Sequence, residues 1–216
     1  MKIELLNIKL EFQTPLLGSS SGNKALHEEH IASKAPTTAA AAEELSCLDV
    51  ADEIHKAMTV FPKDENGLFI WDYQVKGFLK ESIAVLIELG DIKDLSKWSH
   101  KKAVDSLIFI QPRRIYLKDS TGKPILKATE TLQRPLRAET MKGERVALAS
   151  SEMLPEGTQC QFTLKLLSGD NKKTKLAVVT LDNIQAALDY GAMKGFGQWR
   201  SGGYGMFSWE TFKAAA

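Results

Sequence analysis

The sequence is poor in cysteine and has no long apolar run. Its two cysteines, Cys47 and Cys160, stand far apart and form no CxxC pair. This excludes a zinc site built on thiolates and predicts two reduced, buried thiols. The longest apolar runs, such as 82–89, contain a glutamate or end too soon to span a bilayer. Because residues 1–10 also lack the apolar core of a signal peptide, we expect a cytoplasmic protein with no membrane partner.

Neither basic nor acidic residues are in clear excess. The chain of 216 residues has 28 basic and 27 acidic side chains and a net charge of +1, whereas proteins that coat nucleic acid are usually strongly basic. Lysine and arginine concentrate at 113–145 and 165–200, and the N-terminal third is rich in acidic residues. Any contact with nucleic acid is therefore expected from local basic patches. The length allows one large domain, or one core domain with an insertion.

Apolar periodicity predicts a mixture of strands and helices. Alternating apolar residues predict strands at 2–13 (bulged near Leu6–Asn7), 106–118 (broken at Pro112), 124–131, 145–150, 159–167 and 204–212. Helical spacing predicts helices at 183–193 and at 72–89, the second capped by Asp72 and stopped by Gly90. The turn residues at 119–123 predict a hairpin between the strands on either side of them.

This order of elements indicates an α+β fold of the ferredoxin-like (RRM-like) kind. Such a fold has an antiparallel sheet with helices on one face, and here a long insertion follows the first strand. We expect a single domain over 1–213. Residues 18–66 are predicted to be a partly mobile insertion, with weak helix near 41–60. Residues 214–216 fit no predicted helix or strand and are interpreted as a vector remnant.

The glycine-rich segment 195–205, G-F-G-Q-W-R-S-G-G-Y-G, is the strongest candidate for a binding site. Its glycines weaken any helix or strand, and they expose backbone N–H groups to a polyanion. Lys194 and Arg200 add positive charge, while Trp199 and Tyr204 offer faces on which bases stack. The segment follows a predicted helix and precedes a strand, which excludes a Rossmann fingerprint, and no P-loop lysine follows. The alternative is a tight glycine-rich turn.

Two further basic groups are candidate phosphate contacts. Lys76 and Lys80 lie four residues apart and so share one face of the predicted helix, and Gly77 between them would permit close approach by a neighbouring backbone or a ligand. The second group consists of two arginine pairs expected on adjacent strands of the hairpin, namely Arg113, Arg114, Arg134 and Arg137. The alternative for both groups is ordinary surface charge.

The histidines suggest at most a minor chemical role. His27 and His30 flank two glutamates in the order H-E-E-H, which differs from the helical H-E-x-x-H zinc motif. With His55 they would supply three metal ligands, although a polar loop is the simpler interpretation. The sequence shows neither a G-x-S-x-G elbow nor a pair of catalytic carboxylates.

Three of these pieces, taken together, resemble the RAMP superfamily of CRISPR-associated RNA-binding proteins, particularly the small backbone subunits that coat guide RNA. They are T-P-L-L-G-S at 14–19, V-K-G-F-L-K at 75–80 and G-Q-W-R-S-G-G-Y-G-M-F at 197–207. The resemblance implies a ferredoxin-like core with the C-terminal loop beside the RNA backbone. It adds loop residues to the predicted RNA contacts, namely Gly197, Ser201, Gly203 and Gly205. The chain departs from the family in this loop, because either Gly202 replaces the family's arginine or Gly203 is inserted.

The resemblance also bears on catalysis. Family members that cut target RNA carry a catalytic aspartate in the early loop, whereas residues 1–47 contain no aspartate. We therefore predict a single-stranded-RNA-binding protein without cofactor or metal, whose partners are other CRISPR-type subunits or copies of itself. One alternative is a phage-encoded counter-defence or assembly protein that binds a nucleotide or a protein. Another is a metal-independent endoribonuclease that processes guide RNA, with His27, His30 or His55 as general base.

Overall fold

The computed structural model describes residues 2–21, 58–140, 143–168 and 178–213. Several sequence predictions lie outside these residues, including those on His27, His30, His55, Cys47 and 214–216, as does the Arg137 side chain. The described residues form twelve strands and three α-helices. The strands are β1 (Lys2–Phe12), β2 (Leu16–Leu17), β3 (Ser20–Ser21), β4 (Met58–Val60), β5 (Lys63–Asp64), β6 (Gly67–Trp71), β7 (Ile108–Gln111), β8 (Arg114–Lys118), β9 (Glu130–Thr140), β10 (Gly143–Leu154), β11 (Gln159–Ser168) and β12 (Phe207–Thr211). The helices are α1 (Asp72–Leu89), α2 (His100–Leu107) and α3 (Leu181–Lys194).

The larger sheet is antiparallel and supplies most of the core. Its strand order is β12-β1-β11-β8-β6-β5, and β7 also pairs with β11. Alternate residues of β1, from Leu6 to Phe12, are buried in one cluster with apolar residues of α1 and α3. Ile3 and Leu5, which alternate with them, are exposed. This two-residue alternation is typical of a sheet with one covered face. The prediction of an α+β protein with antiparallel sheet is confirmed.

A second sheet was not predicted. Its order is β2-β10-β4-β3, with β9 paired to β10 in a long hairpin and β4 parallel to β10. The sequence prediction instead paired 124–131 with 106–118. That prediction is wrong, because β6 and β11 already occupy both edges of β8. Only the turn itself and one isolated bridge, Lys118 to Pro124, remain of the predicted hairpin.

The helices differ from their predictions mainly at their N-termini. Helix α1 ends at Gly90, which has a φ of 84° as expected for a glycine stop. The cap is Trp71 rather than Asp72, because the chain is still extended at Trp71 and its N–H is satisfied by the Gln74 side chain, 2.8 Å away. Helix α3 is capped by Thr180 and Asn183, which exchange side-chain to backbone hydrogen bonds. Helix α2 was not predicted and takes the first two residues of the predicted strand 106–118.

Two smaller predictions also have outcomes. The pairing of β1 with β11 runs without interruption from Lys2 to Glu11, so the bulge predicted near Leu6–Asn7 is absent. Cys160 is buried and free, as predicted, and burial raises the pKa of its thiol to about 12. None of the helices in the described part of the chain is long and apolar enough to cross a membrane.

Candidate functional site

The glycine-rich segment closes on itself before β12. The Phe196 N–H donates to the Gly205 carbonyl at 2.8 Å, and the Gly205 N–H donates to the Pro15 carbonyl at 3.0 Å. Gly205 has a φ of 72°, and a Cβ there would overlap the Phe196 carbonyl. Close approach at this glycine is therefore to the protein's own backbone. The tight-turn alternative accounts for Gly205 without a ligand.

The exit of β1 forms the second wall of the same region. The Thr14 hydroxyl accepts a hydrogen bond from the Met206 N–H at 2.9 Å, and the Gln13 N–H donates to the Met206 carbonyl at 2.7 Å. A Cβ on Gly197 would stand 2.7 Å from the Leu17 carbonyl oxygen. The T-P-L-L-G-S segment and the glycine-rich segment are thus joined along their lengths.

Helix α1 supplies the third wall and completes a cleft of about 500 Å³. The residues that line the cleft come from 19–21, from α1 and from the glycine-rich segment, and they are Ser19, Ser20, Ser21, Tyr73, Gln74, Phe78, Glu81, Phe196, Gly197 and Arg200. Four of them, Ser19, Phe78, Gly197 and Arg200, lie within the segments that carry the family resemblance. Their positions in the chain span most of its length. The site therefore exists only in the folded protein, where the three segments meet.

Hydrogen bonds and one ion pair organise the polar side chains of the cleft. Gln74 Nε2 donates to the Ser19 hydroxyl at 2.8 Å, while its Oε1 accepts the Trp71 N–H. Arg200 Nη1 lies 2.8 Å from Glu81 Oε2, and both side chains are partly exposed. The hydroxyl of Ser20 is buried and has no hydrogen-bond partner among the described residues. The cleft therefore holds one cation that is already paired, together with several hydrogen-bonding groups.

The two aromatic residues of the glycine-rich segment contact each other. The Trp199 and Tyr204 rings are stacked, with centroids 5.0 Å apart and an interplanar angle of 18°. The Arg134 guanidinium, from β9, lies 4.4 Å from the Trp199 ring centroid. This arrangement links the β9–β10 hairpin to the segment through a cation–π contact. In the folded chain, Trp199 and Tyr204 therefore each have one face against the other ring.

Lys76 and Lys80 lie on the other side of α1 from the cleft. With 3.6 residues per turn, they point away from Gln74, Phe78 and Glu81. Lys76 Nζ donates to the Asp105 carbonyl at 3.1 Å and lies 5.3 Å from the Phe109 ring centroid. Lys80 Nζ lies 2.5 Å from Asp105 Oδ1. Both lysines therefore connect α1 to α2 and β7.

Burial affects two titratable groups in the N-terminal half of α1. Partial burial lowers the pKa of Lys76, and the charge of Asp105 opposes that shift. Burial raises the pKa of the Asp72 carboxyl, while a hydrogen bond from the Tyr73 N–H and the charge of Arg113 oppose it. Gly77 is exposed, and a Cβ there would meet no atom within 4 Å. No neighbouring backbone approaches Gly77 in the described part of the chain.

The arginines do not form the predicted ridge. The Arg113 guanidinium lies 5.1 Å from the Trp71 ring centroid, and the Arg114 guanidinium lies 5.5 Å from the Phe69 ring centroid. Arg114 Nη1 also pairs with Asp64 Oδ2 at 2.6 Å. Arg134 belongs to β9 in the second sheet, so the predicted placement of two arginine pairs on adjacent strands is wrong. The reason is again that β6 and β11 flank β8.

The remaining predicted contacts do not line the cleft or lie outside the described residues. Lys194, Ser201 and Gly203 are exposed, and Gly203 has a φ of 83° with open space around it. The three histidines proposed as catalytic or metal-binding lie outside the described ranges. Within those ranges, no three histidine, cysteine, aspartate or glutamate side chains come together as a metal site.

Sequence reasoning missed Tyr73, Gln74 and Glu81 as site residues. Gln74 carries a weak local signal, because a glutamine at the third helical position is typical of a capping arrangement. Glu81 carries none, since its partner Arg200 is 119 positions away in the chain. Long-range pairing of this kind has no local sequence pattern.

Comparison with known proteins gives a likeness to solved structures alone. No protein-family profile matches the chain, and no curated protein matches it. Among solved structures, it is similar to a chain described as "Type IV-B CRISPR Complex", at 10% sequence identity and a TM-score of 0.46. The alignment covers 99% of this chain and 92% of that chain.

Proposed function

We propose that this protein binds single-stranded RNA without cleaving it, and that the cleft between 19–21, α1 and the glycine-rich segment is the contact site. The observation that supports the proposal is the meeting of three distant segments in one cleft. Each of them overlaps with one of the segments that resemble the RNA-binding backbone subunits of the RAMP superfamily. On this proposal the larger sheet with its helices is the ferredoxin-like core, and other subunits or further copies of the chain are its partners.

Arg200 is the proposed phosphate contact in the cleft. Its guanidinium is held at the mouth by Glu81, and the pair is partly exposed, so an RNA phosphate can compete with the carboxylate for the same donors. Arginine suits this role because its planar fork matches phosphate oxygens. A phosphate contact of this kind is compatible with a net charge of only +1, because Arg200 would exchange its carboxylate partner for a phosphate.

The other cleft groups have complementary roles in the proposal. Tyr73 is 37% exposed, and its ring stacks on Trp71 with the ring centroids 6.2 Å apart. Its exposed surface offers an aromatic contact for a base at the cleft. The Ser20 hydroxyl and the Gln74 amide provide hydrogen-bonding groups. Trp199 and Tyr204 shape the segment that carries Arg200 instead of contacting bases directly. Lys76 and Lys80 stay outside this interface.

The test is a titration of fluorescent single-stranded RNA of about 15 nucleotides, followed by anisotropy from about 50 to 200 mM salt. The wild type should bind with an affinity that falls as salt rises. Arg200→Ala should weaken binding about tenfold and reduce the steepness of the salt dependence by about 0.7 on the double-logarithmic plot, since one phosphate contact is lost.

Lys9→Ala is a matched control. Lys9 pairs with Glu210 at 3.1 Å on the uncovered face of the larger sheet, and its exposure is close to that of Arg200. Its loss should leave the affinity unchanged. Binding that is insensitive to salt would contradict the proposal. A loss with Lys9→Ala but not with Arg200→Ala would move the RNA from the cleft to the sheet face.

A further inference from the structure

Trp98 is the most exposed large apolar side chain in the described part of the molecule. It is 94% exposed, whereas Trp71 is fully buried. Leu89, at the end of α1, is 67% exposed, and the ion pair between Glu88 and Lys97, at 2.6 Å, brings the two segments together. A tryptophan left in water forgoes the large gain of apolar burial. At 94% exposure its ring is open to a ligand.

The turn that carries Trp98 is well anchored. Leu95 and His100, on either side of it, are 3% and 2% exposed. The hydroxyls of Ser96 and Ser99 are hydrogen-bonded at 2.8 Å, and the Ser99 and His100 N–H groups both donate to the Ser96 carbonyl at 3.1 Å. Because both flanks are fixed, the exposed position of Trp98 is part of the fold.

Lysines flank this tryptophan on both sides in the sequence. Lys97 precedes it, and Lys101 and Lys102 occupy the first turn of α2, where there is no acidic residue. Cations at a helix N-terminus oppose the helix dipole, so the stability of α2 does not explain them. Lys101 and Lys102 are exposed and make no ion pair within the described residues. Positive charge beside an open aromatic face complements a single-stranded polyanion.

The patch of Trp98, Lys97, Lys101 and Lys102 lies along the same side of α1 as the cleft. Glu81, which pairs with Arg200, and Glu88, which pairs with Lys97, are two helical turns apart and so share one exposed face. The rise along that helix is about 10 Å. One short strand of nucleic acid can therefore reach both places.

We propose that this patch is a second contact for single-stranded RNA, in which a base stacks on the Trp98 indole and the three lysines bind phosphates. The identity of the ligand rests on the proposed function, whereas the contact itself rests on Trp98 and its lysines. An acidic protein partner fits less well, because tryptophan anchors in protein interfaces fill packed pockets within an apolar core. Here the indole stands among lysines.

The experiment compares an oligouridylate of about 15 nucleotides with an abasic oligonucleotide of the same length. Trp98→Ala should weaken binding of the oligouridylate about tenfold and leave binding of the abasic strand unchanged, while Trp98→Phe keeps most of the affinity. The double variant Lys101→Ala/Lys102→Ala should weaken binding of both strands and reduce the slope of affinity against salt by about 1.4. Leu89→Ala is the control for an exposed apolar neighbour and should change neither strand.

Equal binding of the oligouridylate by the wild type and Trp98→Ala would overturn the inference. The alternative would then be that the patch binds an acidic protein. Equal losses on both strands would also overturn the stacking role. The Arg200→Ala variant separates the two proposals. If only Arg200→Ala weakens oligouridylate binding, the patch is contradicted and the cleft is not. If only Trp98→Ala weakens it, the cleft is contradicted and the patch is not. A wild type that binds no oligouridylate contradicts both proposals.

Discussion

The two sides of helix α1 use their charged residues in different ways. On one side, Gln74, Phe78 and Glu81 face the cleft, where hydrogen bonds and an ion pair reach Ser19 and Arg200. On the other side, Lys76 and Lys80 converge on Asp105 of α2. The lysine-rich side was predicted from the sequence to bind phosphates, and in the folded chain its lysines contact Asp105 and Phe109. The side that faces the cleft carries an acid and no lysine.

The comparison teaches that formal charge alone does not locate an interface. Lys76 and Lys80 each contact Asp105 of α2, and their apolar stems pack against neighbouring residues. Arg200 is exposed to the same extent as Lys80, but it lines a cleft, and its planar guanidinium has further donors that a phosphate can engage. Three predictions sharpen this contrast between the two sides.

The largest expected effect comes from two helical glycines. A Cβ on Gly191 of α3 would overlap the Phe78 ring, which faces the cleft, so Gly191→Ala should lower the free energy of unfolding by about 2 kcal/mol. Gly77 of α1 has open space, so Gly77→Ala should raise it by about 1 kcal/mol through helix propensity. Urea unfolding measures both. Equal effects of the two substitutions would contradict the close contact of α1 with α3.

A smaller effect is expected on the side that packs against α2. Lys76→Ala removes a hydrogen bond to Asp105 and a cation–π contact with Phe109, so the free energy of unfolding should fall by about 1 kcal/mol. The affinity for single-stranded RNA should not change. The matched control is Lys93→Ala, an exposed lysine whose loss should alter stability by less than about 0.5 kcal/mol. If Lys76→Ala weakened RNA binding as much as Arg200→Ala, the contrast between the sides would fail.

The smallest expected effect tests the acids on each side. Glu81→Gln releases Arg200 from its partner and should raise the affinity for single-stranded RNA about threefold, a gain that high salt removes. Asp105→Asn breaks the comparable pair with Lys80 on the other side and should leave the affinity unchanged. Anisotropy titrations of the two variants side by side provide the measurement. An unchanged affinity for Glu81→Gln would mean that Arg200 does not bind the RNA.

Much of the secondary structure was predictable because it depends on local patterns. The alternation in β1 and β11, the helical spacing and Gly90 stop of α1, and the Thr180 start of α3 are all visible in short windows of sequence. Helix α2 was missed because its eight residues carry too few apolar positions to show a period. The partner of 130–140 was missed because strand pairing depends on which edges are already occupied, and no local window contains that information.

The candidate site was predictable only in part. The glycine-rich segment and Arg200 were found from composition, and the T-P-L-L-G-S segment from its resemblance to a family. Glu81 and Tyr73 were missed because nothing in their neighbourhood distinguishes them from other surface residues. The faces of Trp199 and Tyr204 were predicted to be open, yet the rings stack on each other beside an arginine from a distant hairpin.

The sequence by itself determined the class of fold, the limits of β1, β11 and α1, and the existence of a glycine-rich turn before the last strand. These follow from periodicity and from the conformations that glycine and proline allow. Only the tertiary structure decided which lysine and arginine side chains pair between helices and which lie at the cleft. That decision depends on contacts between Arg200 and Glu81, and between Lys80 and Asp105. Such partners are distant in the chain and meet only when the sheet and helices pack together.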